Sequence, residues 1–177
     1  MSALVFGFCC CEGTECSLPF VDDFEDSDTW PGQNLRAWDR LIGGADLYLS
    51  NLITPVDDPV ENDTYYVDLI GSSKQWRGGI QTKCTWTLEP GTYRLSFRMR
   101  GSARNHSRTE TTVTCGPLTE VITLDADDPW QAFEYTFTVP FTWPTQIRFD
   151  CQVINQTFNT IDRGALLDDV EFYQIGA

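Results

Sequence analysis

Positive charge is scarce in this chain. Its 177 residues carry 12 Lys and Arg against 26 Asp and Glu, a formal net charge of −14. A surface of that sign repels a nucleic-acid backbone or an anionic membrane, so neither is expected as a partner; neutral glycans, cations and basic proteins remain compatible. Histidine is scarcer still. The single imidazole, His106, sits in the polar stretch GSARNHSR, so Ser-His-Asp or Cys-His chemistry has only one base to draw on, and no Ser or Cys motif stands beside it. A glycine-rich phosphate loop, HExxH and a nucleophile elbow are all missing. Two carboxylates for glycoside hydrolysis could stand among so many acids, but abundance is not evidence for a pair. The expectation is a protein that is not an enzyme.

Long apolar runs are absent as well. The opening MSALVFGF is too short to span a bilayer, has no basic residues ahead of it and no small-residue cleavage site after it. Neither a secretion signal nor a membrane anchor is expected there. No long window has helical apolar spacing, no repeat of solenoid or propeller period occurs, and no Pro/Ser/Gly linker divides the chain. The expected organisation is one domain over residues 18–177, preceded by a Cys-rich apolar segment, residues 1–17, that could serve as an anchor.

What the chain does have is short alternating stretches rich in Thr, Val, Tyr and Trp, with aromatics at 13%. In TYYVDLIGSS, Thr64 to Ser73, Tyr65, Val67 and Leu69 alternate with Tyr66, Asp68 and Ile70, and Gly71-Ser72-Ser73 ends the run. A polar loop with Trp76 and Arg77 leads through Gly78-Gly79 into IQTKCTWTL. TYRLSFRMR, Thr92 to Arg100, is the clearest strand: Tyr93, Leu95, Phe97 and Met99 face one way, Arg94, Ser96, Arg98 and Arg100 the other. Trp30 to Gly44 reads as loop. Further runs at ADLYLSNLI, Thr109 to Cys115, Val121 to Leu124, QAFEYTFTV, TQIRFDCQV and LLDDVEFYQI bring the total to nine or ten strands. An antiparallel β-sandwich follows, a jelly roll, all-β.

Seven cysteines cannot all pair within one chain. Cys9, Cys10, Cys11 and Cys16 crowd the beginning. Adjacent cysteines lack the C-x-x-C spacing that wraps a tetrahedral ion, and no His lies near, which disfavours zinc. The alternatives are an anchoring segment, buried in or cross-linked to a partner, or a reduced tail with no role.

In order along the chain, VDDFE at Val21 to Glu25, YVDLIGS at Tyr66 to Ser72, GIQT at Gly79 to Thr82, PGTYRLSF at Pro90 to Phe97 and GALLDDV at Gly164 to Val170 resemble the galactose-binding-like jelly rolls. The nearest resemblance is to carbohydrate-binding modules of families 4 and 9 and related extracellular sugar-binding domains. It spans Phe20 to Ile175. It implies a structural calcium ion, Ca2+, where the first strand meets the last, with Glu25 and Asp23 approaching Asp168 or Asp169; facing carboxylates would repel without a hard cation between them. It also implies sugar recognition by aromatic rings and hydrogen-bonding side chains, for which the candidates are Trp76, Arg77, Trp38, Arg98 and Arg100. Trp86, Phe133, Tyr135 and Phe137 are core candidates. The thiol-rich start and the absence of an attached catalytic domain depart from the usual family pattern.

Two functions fit. One is a non-catalytic, lectin-like module that binds a glycan, carried extracellularly or on the surface of a virion or cell. The other is a structural decoration, cement or adhesin protein docked through its N-terminal segment on a capsid, tail or surface-layer protein. Either could act as a homo-oligomer.

Overall fold

A computed structural model describes residues 16–25, 35–41, 44–49, 65–71, 76–102, 108–155 and 164–177. Thirteen strands lie among them: β1 (Phe20–Asp22), β2 (Trp38–Arg40), β3 (Asp46–Leu49), β4 (Tyr65–Asp68), β5 (Arg77–Thr82), β6 (Trp86–Leu88), β7 (Gly91–Arg100), β8 (Arg108–Cys115), β9 (Leu118–Leu124), β10 (Gln131–Val139), β11 (Trp143–Thr145), β12 (Ile147–Asn155) and β13 (Leu166–Gly176). The number exceeds the nine or ten expected because β1, β2, β6 and β11 have three residues each. That is too short for alternation to register in a sequence. One of them, β2, falls inside the stretch read as loop.

The sequence of one sheet is β10-β7-β13-β4-β3, with β1 also paired to β13. The other runs β2-β5-β12-β8-β9, and β11 pairs with β6 at one end. Every pairing is antiparallel. The architecture is the expected all-β sandwich. Alternation builds it: Tyr93, Leu95, Phe97 and Met99 of β7 are all buried, as are Ile147, Phe149, Cys151 and Val153 of β12. The two sheets meet where Phe97 and Phe149 pack edge to face, ring centroids 5.0 Å apart. Such a pair adds to the area it buries, because the positive edge of one ring points at the negative face of the other. Trp86 is buried and edge-on to Phe20 and Phe172, tying the β6 end into the same core.

The chain start is fastened to this frame. Cys16 is disulfide-bonded to Cys84, in the turn between β5 and β6, and the Ser17 carbonyl accepts a hydrogen bond from the Trp86 indole N–H. Cys16 therefore does not serve as an anchor to a partner: β1 brings it back beside the β5–β6 turn. Cys9, Cys10 and Cys11 lie outside the described residues. Cys115 and Cys151 are free thiols facing the core.

Candidate functional site

The outward positions of the second sheet form a continuous polar surface. In β12 they are Arg148, Asp150 and Gln152; in β8, Glu110, Thr112 and Thr114; in β5, Arg77, Gly79 and Gln81. The register aligns them in three rows: Gln81, Arg148 and Thr114; Gly79, Asp150 and Thr112; Arg77, Gln152 and Glu110. Asp39 of β2 extends the first row on one side, and Thr119, Val121 and Thr123 of β9 extend all three on the other. At strand and residue spacings of about 4.8 and 3.4 Å, the three central strands offer an area of about 10 by 14 Å.

These side chains hold one another. The Arg148 guanidinium donates to Asp150 Oδ2 at 2.8 Å, and that of Arg77 approaches the same carboxylate at 3.4 Å. The Gln152 amide donates to Glu110 Oε1 at 2.8 Å. Gly79 is required where it stands: its φ is +147°, and a Cβ there would lie 2.0 Å from the Phe149 carbonyl oxygen. The position is covered, since Gly79 is buried and the Leu41 side chain lies 3.0 Å from where that Cβ would stand. Trp76, just ahead of β5, is half exposed (50%), and its carbonyl accepts the Val153 N–H at 2.9 Å. The backbone is pinned and the ring is accessible.

The five side chains expected to bind sugar do not converge. Arg77 lies on the second sheet's outer face, whereas Trp76, opposite the buried Val153 at the end of β5, alternates to the other side of the strand. Trp38 is a correction: it is 2% exposed, its indole N–H donates to Asp22 Oδ2 at 2.8 Å, and its ring packs among Phe20, Phe24 and Phe149. As the first residue of β2 it points inward opposite Thr82, so it is core. Arg98 and Arg100 lie on the outer face of the other sheet. There Arg98 pairs with Asp169 at 3.1 Å, and both guanidinium groups lie over the ring of Trp130. That is a structural cluster, removed by a whole sheet from Arg77. Gln81, Glu110, Arg148, Asp150 and Gln152, which share this face, are not among the side chains expected from the sequence. Their signal was present, as polar alternate positions in strands whose pairing partners a sequence does not name.

At the junction of β1 and β13, Glu25 and Asp168 come within electrostatic range. Asp168 is buried, and its carboxyl is pushed up to about 8, first by burial, then by the neighbouring Asp169, with Glu25 adding to it; the Asp169 N–H and Arg98 oppose the shift. Asp23 accepts from the Glu25 N–H at 3.2 Å, and Asp169 is drawn to Arg98. Both chain segments bend sharply here, with φ of +61° at Phe24 and +50° at Asp169. Among the described residues no three acidic, His or Cys side chains converge into a metal-holding group. Glu25 Oε1 accepts the Tyr65 N–H at 2.6 Å, so of the four expected residues only Glu25 and Asp168 bear on each other across this junction.

No protein-family model matches the chain, and no curated protein does. Solved structures match it by fold. The N-terminal CBM22-1-CBM22-2 tandem domain of Paenibacillus barcinonensis Xyn10C superposes with a TM-score of 0.54 at 10% identity, over 94% of this chain and 48% of that one. TmCBM61, in complex with β-1,4-galactotriose, gives 0.47 at 13% identity, over 86% and 94%. The enzymatically active domain of bacteriophage CBA120 tailspike protein 4 gives 0.46 at 11%, over 81% and 20%. This chain therefore spans about half of the tandem and a fifth of the tailspike domain. At such identities the likeness is one of fold alone, that of an antiparallel β-sandwich.

Proposed function

We propose that the protein is a carbohydrate-binding module, without a catalytic step of its own, that holds a neutral glycan against the outer face of the sheet β2-β5-β12-β8-β9. The observation that carries this reading is the three-row polar surface whose charged and amide side chains already hold one another. A pyranose presents an apolar face of C–H groups and a rim of hydroxyls that both donate and accept. The stacking surface is assigned to the half-exposed ring of Trp76, at the β5 end of the sheet. Arg77 and Arg148 supply donors, Asp150 and Glu110 acceptors, and Gln81 and Gln152 both. Because Asp150 is already oriented by two guanidinium groups, little ordering is left to be done when a sugar arrives. The fold shared with the CBM22 tandem supports the same reading.

The test is binding of the full chain to an array of neutral oligosaccharides, followed by titration of the best ligand. Trp76→Ala and Arg148→Ala are each expected to weaken binding by about tenfold or more, equivalent to about 1.4 kcal/mol, with the near-UV circular dichroism of the core unchanged. Undiminished binding in both variants would remove this face as the site. Failure of the wild type to bind any neutral glycan would remove the function.

Glu25 and Asp168 are read in the same proposal as holding a structural Ca2+, which would supply charge neutralisation between β1 and β13 and no chemistry. Support comes from the burial of Asp168 and its repulsion by Glu25 and Asp169.

A further inference from the structure

Four strands end the two sheets, and they differ in what they offer. β2 and β3 have three and four residues, too few to template another strand. β9 has seven, entered from Pro117. β10 has nine, pairs with β7 along its whole length from Gln131↔Met99 to Val139↔Gly91, and meets no other strand among the described residues. Its sequence, QAFEYTFTV, has no Pro, no Lys and a single charge, Glu134. Natural sheet edges are usually blunted by one of these devices or by shortness. This edge has almost none of them in a chain of net charge −14.

The inward side chains of β10 are correspondingly incomplete in their burial. Phe133 stacks on Phe97 at 5.6 Å, and Phe137 on Tyr93 at 6.0 Å and Phe172 at 6.2 Å. Tyr135 packs against Phe97 at 6.1 Å. All three nevertheless stay only half-buried, and among the described residues no strand continues the sheet beyond them. Among the described residues, three aromatic rings along this edge are flanked by a strand on one side only.

We infer that β10 is a pairing edge for a second copy of this chain, joined antiparallel about a two-fold axis through Tyr135. The strand is self-complementary in that register. Tyr135 meets its own mate, and Phe133 faces Phe137 of the second copy on the inner side, where aromatic cross-strand pairs are stabilising. On the outer side Ala132 faces Thr138, and the one charge, Glu134, faces Thr136 and not another Glu134. Slipping the axis by one residue toward Gln131 would place the two Glu134 carboxylates opposite each other. A two-fold perpendicular to the sheet keeps both inner faces on the same side, so the half-covered rings of both copies close into one layer. The interface is independent of the sugar-binding reading, since β10 belongs to the other sheet.

The experiment is sedimentation and light scattering of the full chain over a wide concentration range, with a denaturing gel without reductant to count any disulfide-linked species separately. A non-covalent dimer is expected, strengthened by salt because both partners are acidic. Thr136→Glu places like charges opposite each other twice per interface and is expected to weaken the dimer about tenfold or more. Within the chain the new carboxylate lies across from Arg94, so the fold itself should tolerate it, as a thermal melt would verify. Adding Glu134→Lys converts both repulsive pairs into attractive ones and is expected to restore the wild-type dimer or tighten it. A chain that stays monomeric at every concentration overturns the inference. So does a dimer indifferent to Thr136→Glu, or one that the added Glu134→Lys fails to restore.

Discussion

Asp68 shows how much one side chain can decide. It is fully buried at the end of β4, and its Oδ1 accepts three backbone N–H groups: Ile70 at 3.0 Å, Gly71 at 2.9 Å and Gly164 at 2.7 Å. The first two close the turn that follows β4, and the third fastens that turn to the entry of β13, almost a hundred residues later in the chain. Gly164 is needed for the approach, since a Cβ there would lie 2.7 Å from Ile70 Cγ1. Truncation to Asp68→Ala would strand three buried donors, each costing about 1 to 3 kcal/mol. A loss of at least about 3 kcal/mol is therefore expected in denaturant unfolding, with Asp68→Asn, which keeps one acceptor oxygen, losing markedly less. Equal losses in the two variants would mean that the charge and not the acceptor geometry matters. In the sequence this residue was one position on the mixed face of a strand ending in Gly-Ser-Ser. Strand and turn were legible, but the partner Gly164 was not, because nothing local in TYYVDLIGSS points across the sheet.

At the scale of elements, what could be read was whatever a strand says about itself. The alternation in TYRLSFRMR fixed both faces of β7, and the opposite placement of Arg98 from Phe97 is as expected. What could not be read was which strand lies next to which, and a binding surface is a property of neighbours: Arg148, Asp150 and Gln81 come together only through the pairing of β12 with β5. Trp38 was misjudged for the same reason, since a three-residue edge strand carries no period to show which way its first residue points. The meeting of β1 and β13 was anticipated through family resemblance, and its electrostatics support a measurable prediction. The Asp168 carboxyl has its pKa raised to about 8 in the folded state, above the ordinary value of about 3.9. Between those two values the folded protein keeps a proton that the unfolded chain has lost. Its stabilising contribution is therefore complete below about pH 4 and declines as pH rises toward 8. In chelator the melting temperature should fall across that window. Ca2+ should raise it, more at pH 8 than at pH 5, because a cation and a proton compete for the same oxygens. Asp168→Asn should flatten the pH slope and abolish the calcium response. A wild type insensitive to both pH and calcium would leave Glu25 and Asp168 as an ordinary pair of acids.

At the scale of the whole molecule, the Cys16–Cys84 bond is the only covalent tie among the described residues, and it closes a loop of sequence separation 68. That loop contains β1 through β5, so the bond holds the first strand of one sheet to the end of a central strand of the other. In the chain-entropy account a cross-link of this span stabilises by up to about 4 kcal/mol, through the freedom it removes from the unfolded chain. The two core thiols are poor competitors for exchange: burial pushes the Cys115 thiol up to about 12 and the Cys151 thiol up to about 11, and the thiolate is the reactive species. The effect of a reductant on stability should therefore run through one bond. Cys84→Ser is expected to lower the denaturation midpoint of the full chain, and reductant should lower the wild type to the same point. In the variant, reductant should produce no further shift. An additional shift would mean that Cys9, Cys10 or Cys11 holds a second stabilising bond, and equal midpoints for wild type and variant would mean that the first strand is held by packing alone, through Phe20 and the indole of Trp86.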